Sequence, residues 1–420
     1  MKRGFYTIMS AQFFSSLADN ALLIAAMAML AAIHAPEWMS PLLKLFFVLS
    51  YVLLAAFVGS FADSMPKGRV MFISNLIKVC GCSLMFFDVH PLAAYAVVGF
   101  GAAAYSPAKY GILTELLPPE KLVAANGWIE GLTVLSIILG TVLGGVLVNP
   151  KISAQLLLFD MPGINSGIDT PAEAALSVIT AVYMIAAMFN LRIPDTGVRY
   201  RRHHRNPLQL ISHFSTCVGL LWRDRLGQIS LAVTTLFWGA GATLQFIVIK
   251  WADKALNMPL HHASYLQGVV AIGVALGAVA AASMITLRKS LRVLWMGVAM
   301  GFVVMAMTGI DTIWSAAPLL ILVGLLSGFF VVPMNALLQH RGHILMNAGD
   351  SISVQNFNEN LSILTMLAVY ALMTKMDMSI YTIIIFFGMF VSVTMMLVMV
   401  RHRMNQREYD SEALIGEHKH

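Results

Sequence analysis

Long apolar stretches recur along the whole chain and constrain its fold more than any other feature of the sequence. Divided at proline, glycine and charged residues, they give twelve candidate helices, each long enough to cross a bilayer core of about 30 Å. The candidates lie near residues 8–33, 41–62, 69–88, 92–115, 121–148, 172–193, 227–252, 263–286, 291–309, 315–340, 350–374 and 378–401. Charged residues make up only 11% of the chain, whereas soluble domains average about 25%. The predicted fold class is therefore an all-α membrane protein with 12 transmembrane helices.

One long polar segment divides these helices into two groups of six, as in the two pseudo-symmetric halves of many secondary transporters. We predict an N-terminal half at 1–193, a basic cytoplasmic linker at 194–226, a C-terminal half at 227–401 and a cytoplasmic tail at 402–420. With the N-terminus in the cytoplasm, twenty Lys and Arg residues fall on the cytoplasmic side and five on the outside. The positive-inside rule therefore predicts that both termini are cytoplasmic. The arginine cluster of the linker is expected to face anionic membrane lipids.

Five charged residues lie inside the predicted helices, where each costs about 2.5–3.5 kcal/mol on insertion scales. They are Asp19, Lys78, Lys109, Glu130 and Glu359. At about 1.5 Å per residue, the three acids lie roughly 14–17 Å from the cytoplasmic ends of their helices, close to the bilayer midplane. By the same rise, Lys109 lies roughly 9 Å from the inner face. This arrangement predicts a polar cavity in which acids lie above a cation.

Two interpretations of these charges remain open at this point. Intramembrane charges mark substrate pathways, but they also pair with one another, for example Asp19 with Lys109 or Lys78 with a neighbouring acid. We favour an internal ion pair for Lys78 and substrate binding for the other four, because further polar side chains accompany them. The predicted substrate-binding residues are Asp19, Asn20, Lys109, Tyr110, Asn126, Glu130, Trp238, Gln245, Asn335, Asn356 and Glu359.

A separate group of charges lies between the second and third predicted helices. Asp63 ends the stretch Gly59-Ser60-Phe61-Ala62-Asp63, and Lys67 and Arg69 follow it. An acid near a helix end with basic residues just beyond can form an ion pair that holds one state of a transporter. We therefore predict a cytoplasmic gate of Asp63, Lys67 and Arg69. The alternative is a solvated turn with positive-inside charge.

The sequence lacks the motifs of several other functional classes. It contains no G-x4-G-K-[ST] phosphate loop, which argues against an ATP-driven pump. None of the twelve histidines has an aspartate at the spacing used by glycerolipid acyltransferases, so no enzyme activity is predicted. The three cysteines suggest neither a disulfide framework nor a metal site, and no cofactor is predicted. The net charge of +6 comes from basic loops, so no nucleic-acid partner is expected.

The charge layout suits a zwitterionic substrate, because a lysine can bind a phosphate and the acids can bind an ammonium. Apolar grooves between helices would accept an acyl chain. Several stretches together resemble the bacterial lysophospholipid transporter family of the major facilitator superfamily, and the resemblance runs along nearly the whole chain. The stretches are 18–23 (ADNALL), 101–111 (GAAAYSPAKYG), 236–241 (LFWGAG), 328–333 (GFFVVP) and Glu359-Asn360. By matching position, Asp19, Lys109 and Glu359 fall on intramembrane charges of that family.

This resemblance implies an inner-membrane protein that moves lysophosphatidylethanolamine, and also lysophosphatidylglycerol, from the outer to the inner leaflet for reacylation. It also implies facilitated flipping without ATP hydrolysis and an acyltransferase/acyl carrier protein synthetase as a cytoplasmic partner. One position departs from the family pattern, because Gln245 stands where the family can carry an arginine. The departure puts in doubt an ion pair from that helix to Asp19 or Glu359. A proton-coupled exporter of hydrophobic cations is the alternative function, since intramembrane acids also serve proton relays.

Overall fold

A computed structural model describes residues 3–35, 39–149, 170–198, 206–258 and 265–415, together with residues 152 and 155. The basic cluster predicted at 199–205 and most of the predicted outside loop 149–171 lie outside this part of the chain. The described residues form fourteen α-helices and no β-strand. The helices are α1 (Arg3–Ala32), α2 (Met39–Leu53), α3 (Ala55–Asp63), α4 (Lys67–Phe86), α5 (Pro91–Leu116), α6 (Leu122–Leu147), α7 (Pro171–Leu191), α8 (Pro207–Arg223), α9 (Gly227–Leu256), α10 (Tyr265–Met284), α11 (Leu294–Ala306), α12 (Ile313–Leu345), α13 (Ala348–Lys375) and α14 (Ile380–Glu408).

These helices fit a multi-pass membrane protein. Among the described residues, nine helical segments are long and apolar enough to cross a membrane, and the bent pair α2 and α3 provides a tenth span if it is counted as one. Helices α5 and α13 contain 26 and 28 residues, enough to span, but they contain Lys109 and Glu359 among other polar residues. Together these segments account for the twelve predicted crossings.

Two features of the helices differ from the sequence prediction. The predicted helix 41–62 is broken at Leu54, where α2 and α3 meet at an angle of 66°. The predicted linker contains an additional 17-residue helix, α8. The buried residues of α8, Cys217 and Leu221, lie on one side of the helix, and its longest apolar run, 217–222, is too short to cross a membrane.

The chain folds as two compact units. Unit 1 contains residues 1–112 and 135–211, and unit 2 contains residues 113–134 and 212–420. The first half of α6, residues 122–134, therefore belongs to unit 2 with the later helices. The predicted division of the sequence at residues 194–226 stays a prediction.

The core of unit 1 lies where α1 meets its neighbours α4, α5 and α7. Leu22 of α1, Met85 of α4 and Tyr183 of α7 belong to one buried apolar cluster. Helix α7 begins with a capping box in which Thr170 and Glu173 exchange hydrogen bonds with each other's backbone N–H groups. This cap satisfies donors that the first turn would otherwise leave without partners.

The core of unit 2 is built from α9, α10, α12, α13 and α14. The fully buried Trp251 of α9 donates from Nε1 to the carbonyl of Met307 at 3.1 Å, so its one polar atom is satisfied. Helices α10 and α12 approach so closely that a Cβ atom placed on Gly277 or Gly328 would collide with backbone of the other helix. Close backbone approach at small residues is typical of helix packing in membranes.

Helix α8 is anchored to unit 2 by its apolar side. Cys217 and Leu221 are buried and belong to a cluster that also contains Leu231 of α9, Leu338 of α12 and Val354 of α13. The start of α9 is fixed by the Asp224 carboxylate, which accepts from the backbone N–H groups of Gly227 at 2.7 Å and of Leu226 at 3.2 Å. The linker segment therefore includes an ordered helix docked on three others.

Candidate functional site

A buried ion pair joins α1 to α4 in unit 1. Lys78 is 1% exposed and donates to both carboxylate oxygens of Asp19, each at 2.8 Å. It also donates to Ser15 Oγ at 3.0 Å, and the Tyr183 hydroxyl donates to Asp19 Oδ1 at 2.7 Å. The internal ion pair predicted for Lys78 is confirmed, and its partner is Asp19. The alternative pairing of Asp19 with Lys109 is not the one formed.

Aromatic rings and polar groups surround this pair. The Lys78 ammonium lies 5.1 Å from the centre of the Tyr105 ring, which is within cation–π range. Ser15 Oγ donates to Asn75 Oδ1 at 2.8 Å. Within the described structure, the Tyr105 hydroxyl and Asn75 Nδ2 are buried without a hydrogen-bond partner. Buried polar atoms of this kind usually bind ordered water, so the surroundings of the ion pair are suited to hydration.

Lys109 and Tyr110 lie on α5 in a different environment. Both side chains are half-buried, and the Lys109 ammonium lies 4.1 Å from the centre of the Tyr110 ring. The sequence singled out both residues, and the structure brings them together. The side chain therefore combines partial exposure with a favourable cation–π contact.

The two predicted acids of unit 2 are both buried, with 6% of each residue exposed. Glu359 of α13 accepts a hydrogen bond from Gln355 Nε2 at 2.8 Å, and the same nitrogen donates to Asn335 Oδ1 on α12 at 3.0 Å. Gln355 Oε1 is buried without a hydrogen-bond partner in the described part of the chain. Amide groups therefore position the Glu359 carboxylate. Glu130 lies on α6, and Asn356, beside Gln355 on α13, is also buried.

Asn126 of α6 forms a reciprocal amide pair with Gln339 of α12. Each side chain donates to the other's oxygen at 2.9 Å, and both are almost completely buried. Asn126 Nδ2 also donates to the Leu122 carbonyl at 2.9 Å. The sequence analysis singled out Asn126 but not Gln339. Their separation by 213 residues leaves no local signal for the pairing.

The remaining predicted residues lie in less polar surroundings. Trp238 packs edge-on against Phe237 at 5.4 Å between ring centres, and Gln267 Nε2 donates to the backbone carbonyl of Gln245 at 2.8 Å. Asn20 donates to the Ser16 carbonyl within α1 at 2.8 Å. A small apolar pocket lies beside α9 in unit 2. It is lined by Phe237, Leu244, Met300, Val304, Phe387 and Val391 among others.

The predicted gate residues form an ion pair between α3 and α4. Lys67 pairs with Asp63 and donates to the Ala62 carbonyl at 2.9 Å, and both charged side chains are buried. Arg69 is exposed. The basic residue that pairs with Asp63 in the described structure is therefore Lys67.

A second ion pair of this kind was missed by the sequence analysis. Arg341 at the end of α12 donates to Asp224 from Nη2 at 2.7 Å and from Nε at 3.2 Å. The Arg341 side chain is 5% exposed and that of Asp224 is 10% exposed. Because Asp224 also caps α9, the pair ties the ends of two helices together. The predicted helix 315–340 ends before Arg341, so the sequence placed Arg341 in a cytoplasmic loop. A residue in a loop gives no reason to expect a buried partner.

Comparisons with known proteins identify the family of this chain. The model of the Major Facilitator Superfamily matches residues 8–364. The chain is 41% identical over 387 residues to the lysophospholipid transporter LplT of Enterobacter sp. (strain 638), covering 92% of each protein. It is also 41% identical to the protein of the same name from Yersinia enterocolitica, covering 90% of this chain and 88% of that one.

Solved structures show the same fold at low sequence identity. The superfamily transporter FucP in its outward conformation matches with a TM-score of 0.71 and 14% identity, covering 96% of this chain and 98% of that one. A bacterial homologue of the iron transporter ferroportin also matches with a TM-score of 0.71 and 14% identity, covering 97% and 100%. The chain therefore belongs to the major facilitator superfamily and, within it, to the family of the lysophospholipid transporters.

Proposed function

We propose that the protein moves lysophospholipids from the outer to the inner leaflet of the bacterial inner membrane, with both termini in the cytoplasm. The observation that carries this proposal is the 41% identity, over 92% of both chains, to a protein named lysophospholipid transporter. The substrates proposed are lysophosphatidylethanolamine and lysophosphatidylglycerol. No ATP hydrolysis is involved, and the transporter works by alternating access.

The chemistry of the described residues supports a division of roles. Lys109 is half-buried on an aromatic face and is assigned to the phosphate. Glu359 is held by Gln355 and is assigned to the ammonium of an ethanolamine headgroup, together with Glu130. The pocket beside α9 has an apolar lining that suits the end of an acyl chain.

Asp19 receives a different role from the one predicted. Its carboxylate is committed to Lys78 and to the Tyr183 hydroxyl. We therefore assign it to holding α1, α4 and α7 together. Export of hydrophobic cations is disfavoured, because a half-buried lysine beside a substrate path would repel such a substrate.

The experiment that tests this function measures leaflet-resolved uptake of labelled lysophosphatidylethanolamine in proteoliposomes. Lys109→Gln keeps a hydrogen-bond donor but removes the charge, and it should lower the initial rate by about tenfold or more, since hydrogen bonds to charged groups contribute about 1.5–3 kcal/mol. Lys254→Gln makes the same change at an exposed lysine near the end of α9 and should leave the rate unchanged. Equal rates for the two variants would contradict the phosphate role.

Headgroup selectivity tests the role of Glu359. Glu359→Gln removes the charge that would pair with an ammonium, so transport of lysophosphatidylethanolamine should fall by more than that of lysophosphatidylglycerol, which has no ammonium. The measurement is the ratio of the two uptake rates in the same vesicle preparation. A loss of both activities in equal proportion would contradict the assignment.

An acyltransferase/acyl carrier protein synthetase is the proposed partner on the cytoplasmic side, since a lysophospholipid brought to the inner leaflet is a substrate for reacylation. Cells that depend on externally supplied labelled lysophosphatidylethanolamine should form diacyl lipid only when both proteins are present. Formation of diacyl lipid without the transporter would contradict the proposed functional partnership.

A further inference from the structure

Three potential metal-ligating side chains converge where α8 meets the start of α13. His213 Nε2 lies 3.1 Å from Asp350 Oδ2 and 3.5 Å from Cys217 Sγ, and all three ligand atoms lie within 4.8 Å of one another. This is the only group of three such residues found in the part of the chain that the structure describes. None of the three belongs to the residues assigned to transport.

Two of the three distances between these atoms, those from His213 Nε2, are close to distances between ligands of one zinc ion. Zinc binds nitrogen and oxygen at about 2.0–2.2 Å and sulfur at about 2.3 Å in tetrahedral geometry. Two ligands at those bond lengths and at a tetrahedral angle are separated by about 3.4 Å for nitrogen and oxygen and about 3.6 Å for nitrogen and sulfur. The separations of 3.1 and 3.5 Å are close to these values, and the sulfur and the carboxylate oxygen lie within 4.8 Å of each other.

The fold holds the three side chains in place. His213 and Cys217 are four residues apart on α8, so they lie on one face of the helix. Cys217 belongs to the apolar cluster that docks α8, and Asp350 lies buried in the first turn of α13. The His213 side chain is 39% exposed, which leaves a path from solvent to the site.

We propose that His213, Cys217 and Asp350 bind a divalent zinc ion that fastens α8 to α13. A thiolate, an imidazole and a carboxylate are the ligand types that zinc prefers, and a water molecule would complete the tetrahedron. Binding requires the thiolate, so the Cys217 thiol releases its proton when the metal enters. The two negative charges of Cys217 and Asp350 then balance the charge of the ion.

A simpler arrangement of the same atoms is a hydrogen bond between His213 and Asp350 in which the Cys217 sulfur takes no part. The two arrangements differ in whether the sulfur bonds to a metal. Cobalt(II) distinguishes them, because it takes the same tetrahedral sites as zinc and gives a near-ultraviolet thiolate-to-cobalt charge-transfer band. The test therefore follows the sulfur directly and does not depend on transport.

The experiment titrates Co²⁺ into the full chain, purified in detergent with a tag that contains no histidine. The charge-transfer band should saturate at one ion per chain and disappear when Zn²⁺ is added. It should persist in the control Cys80→Ser/Cys82→Ser and be lost in Cys217→Ser. Absence of the band in the folded wild-type protein, or its survival in Cys217→Ser, would overturn the proposal.

Thermal unfolding gives a second measurement that does not require the thiol to be removed. Zn²⁺ should raise the unfolding midpoint of the wild-type protein, and Asp350→Asn should weaken binding by at least tenfold, since even outer partners of metal ligands contribute about 10–100-fold. His402→Gln is the matched control, because His402 also lies beside an acid, 3.7 Å from Glu412. A zinc-dependent midpoint shift that is lost equally in both variants would contradict the assigned site.

Discussion

At the scale of single residues, the Lys78 ammonium is a charge that is almost completely buried and paired inside the protein. Taking an ammonium and a carboxylate out of water is costly, and the cost is offset only when good hydrogen bonds satisfy both groups. Lys78 meets this condition through Asp19 and Ser15, and Asp19 has Tyr183 as a further donor. The pair therefore depends on both of its members.

A double-mutant cycle tests this dependence. Lys78→Met strands the Asp19 carboxylate and should destabilise the protein by about 3–5 kcal/mol. Adding Asp19→Asn removes the stranded charge, so the double variant should recover much of that loss. The measurement is the thermal unfolding midpoint in detergent.

Lys375→Met is the matched control, because it makes the same change at an exposed lysine at the end of α13. Its unfolding midpoint should match that of the wild-type protein. Additive losses from Lys78→Met and Asp19→Asn would show that the two charges do not depend on each other.

The sequence identified the unusual residues better than it identified their partners. A charge inside an apolar helix is visible because of its insertion cost, which is how Asp19 and Lys78 were found. Their pairing depends on which faces α1 and α4 turn to each other across 59 residues of sequence, and apolar periodicity does not specify this. Gln339 was not singled out because it lies at the end of the predicted helix 315–340, where polar residues are expected, although it is as deeply buried as Lys78.

At the scale of helices, glycines set the distance between α10 and α12. Each helix contains a G-x3-G pattern, with Gly273 and Gly277 on α10 and Gly324 and Gly328 on α12. A Cβ atom at Gly277 would collide with the carbonyl oxygen of Leu325, and one at Gly328 would collide with that of Val274. The obstacle is backbone in both cases, so a side-chain movement cannot relieve it.

Substituting these glycines should therefore be costly in a position-dependent way. Gly277→Ala should destabilise the protein by about 1–3 kcal/mol, the usual cost of overpacking. Gly268→Ala, earlier on the same helix, should be neutral or stabilising, because no atom lies within 4 Å of its Cβ position and alanine favours helix. Unfolding midpoints of the two variants would decide, and equal values would show that α10 and α12 have room to separate.

Apolar length predicted the helices that cross the membrane but not those with another role. The twelve predicted runs each correspond to helical structure, with α2 and α3 sharing one run. Helix α12 continues to Leu345, five residues beyond its predicted end, since Arg341 and His343 end the apolar run without ending the helix. Helix α8 was missed because Phe214, Cys217 and Leu221 repeat at helical spacing without forming a run long enough to cross a membrane, a pattern that amphipathic periodicity would have revealed.

At the scale of the whole molecule, the distribution of basic residues predicts the orientation in the membrane. Lys and Arg divide twenty to five between the two sides, which favours a cytoplasmic segment at 199–205 and a cytoplasmic tail. In a background that lacks the three native cysteines, Arg202→Cys should resist a membrane-impermeant maleimide in intact cells and react once the membrane is permeabilised. Lys254→Cys, predicted to lie outside, should react in intact cells. The reverse labelling pattern would show that the chain has the opposite orientation in the membrane.

The reciprocal bond between Asn126 and Gln339 has a consequence for how the protein responds to its surroundings. Two hydrogen bonds close a ring between neutral amides, so forming or breaking this contact moves no net charge. Its strength should therefore be indifferent to the membrane potential, and salt has no charge there to screen. The ion pairs Asp63–Lys67 and Asp224–Arg341 differ, because each exposes two charges when it opens, and salt can then screen those charges.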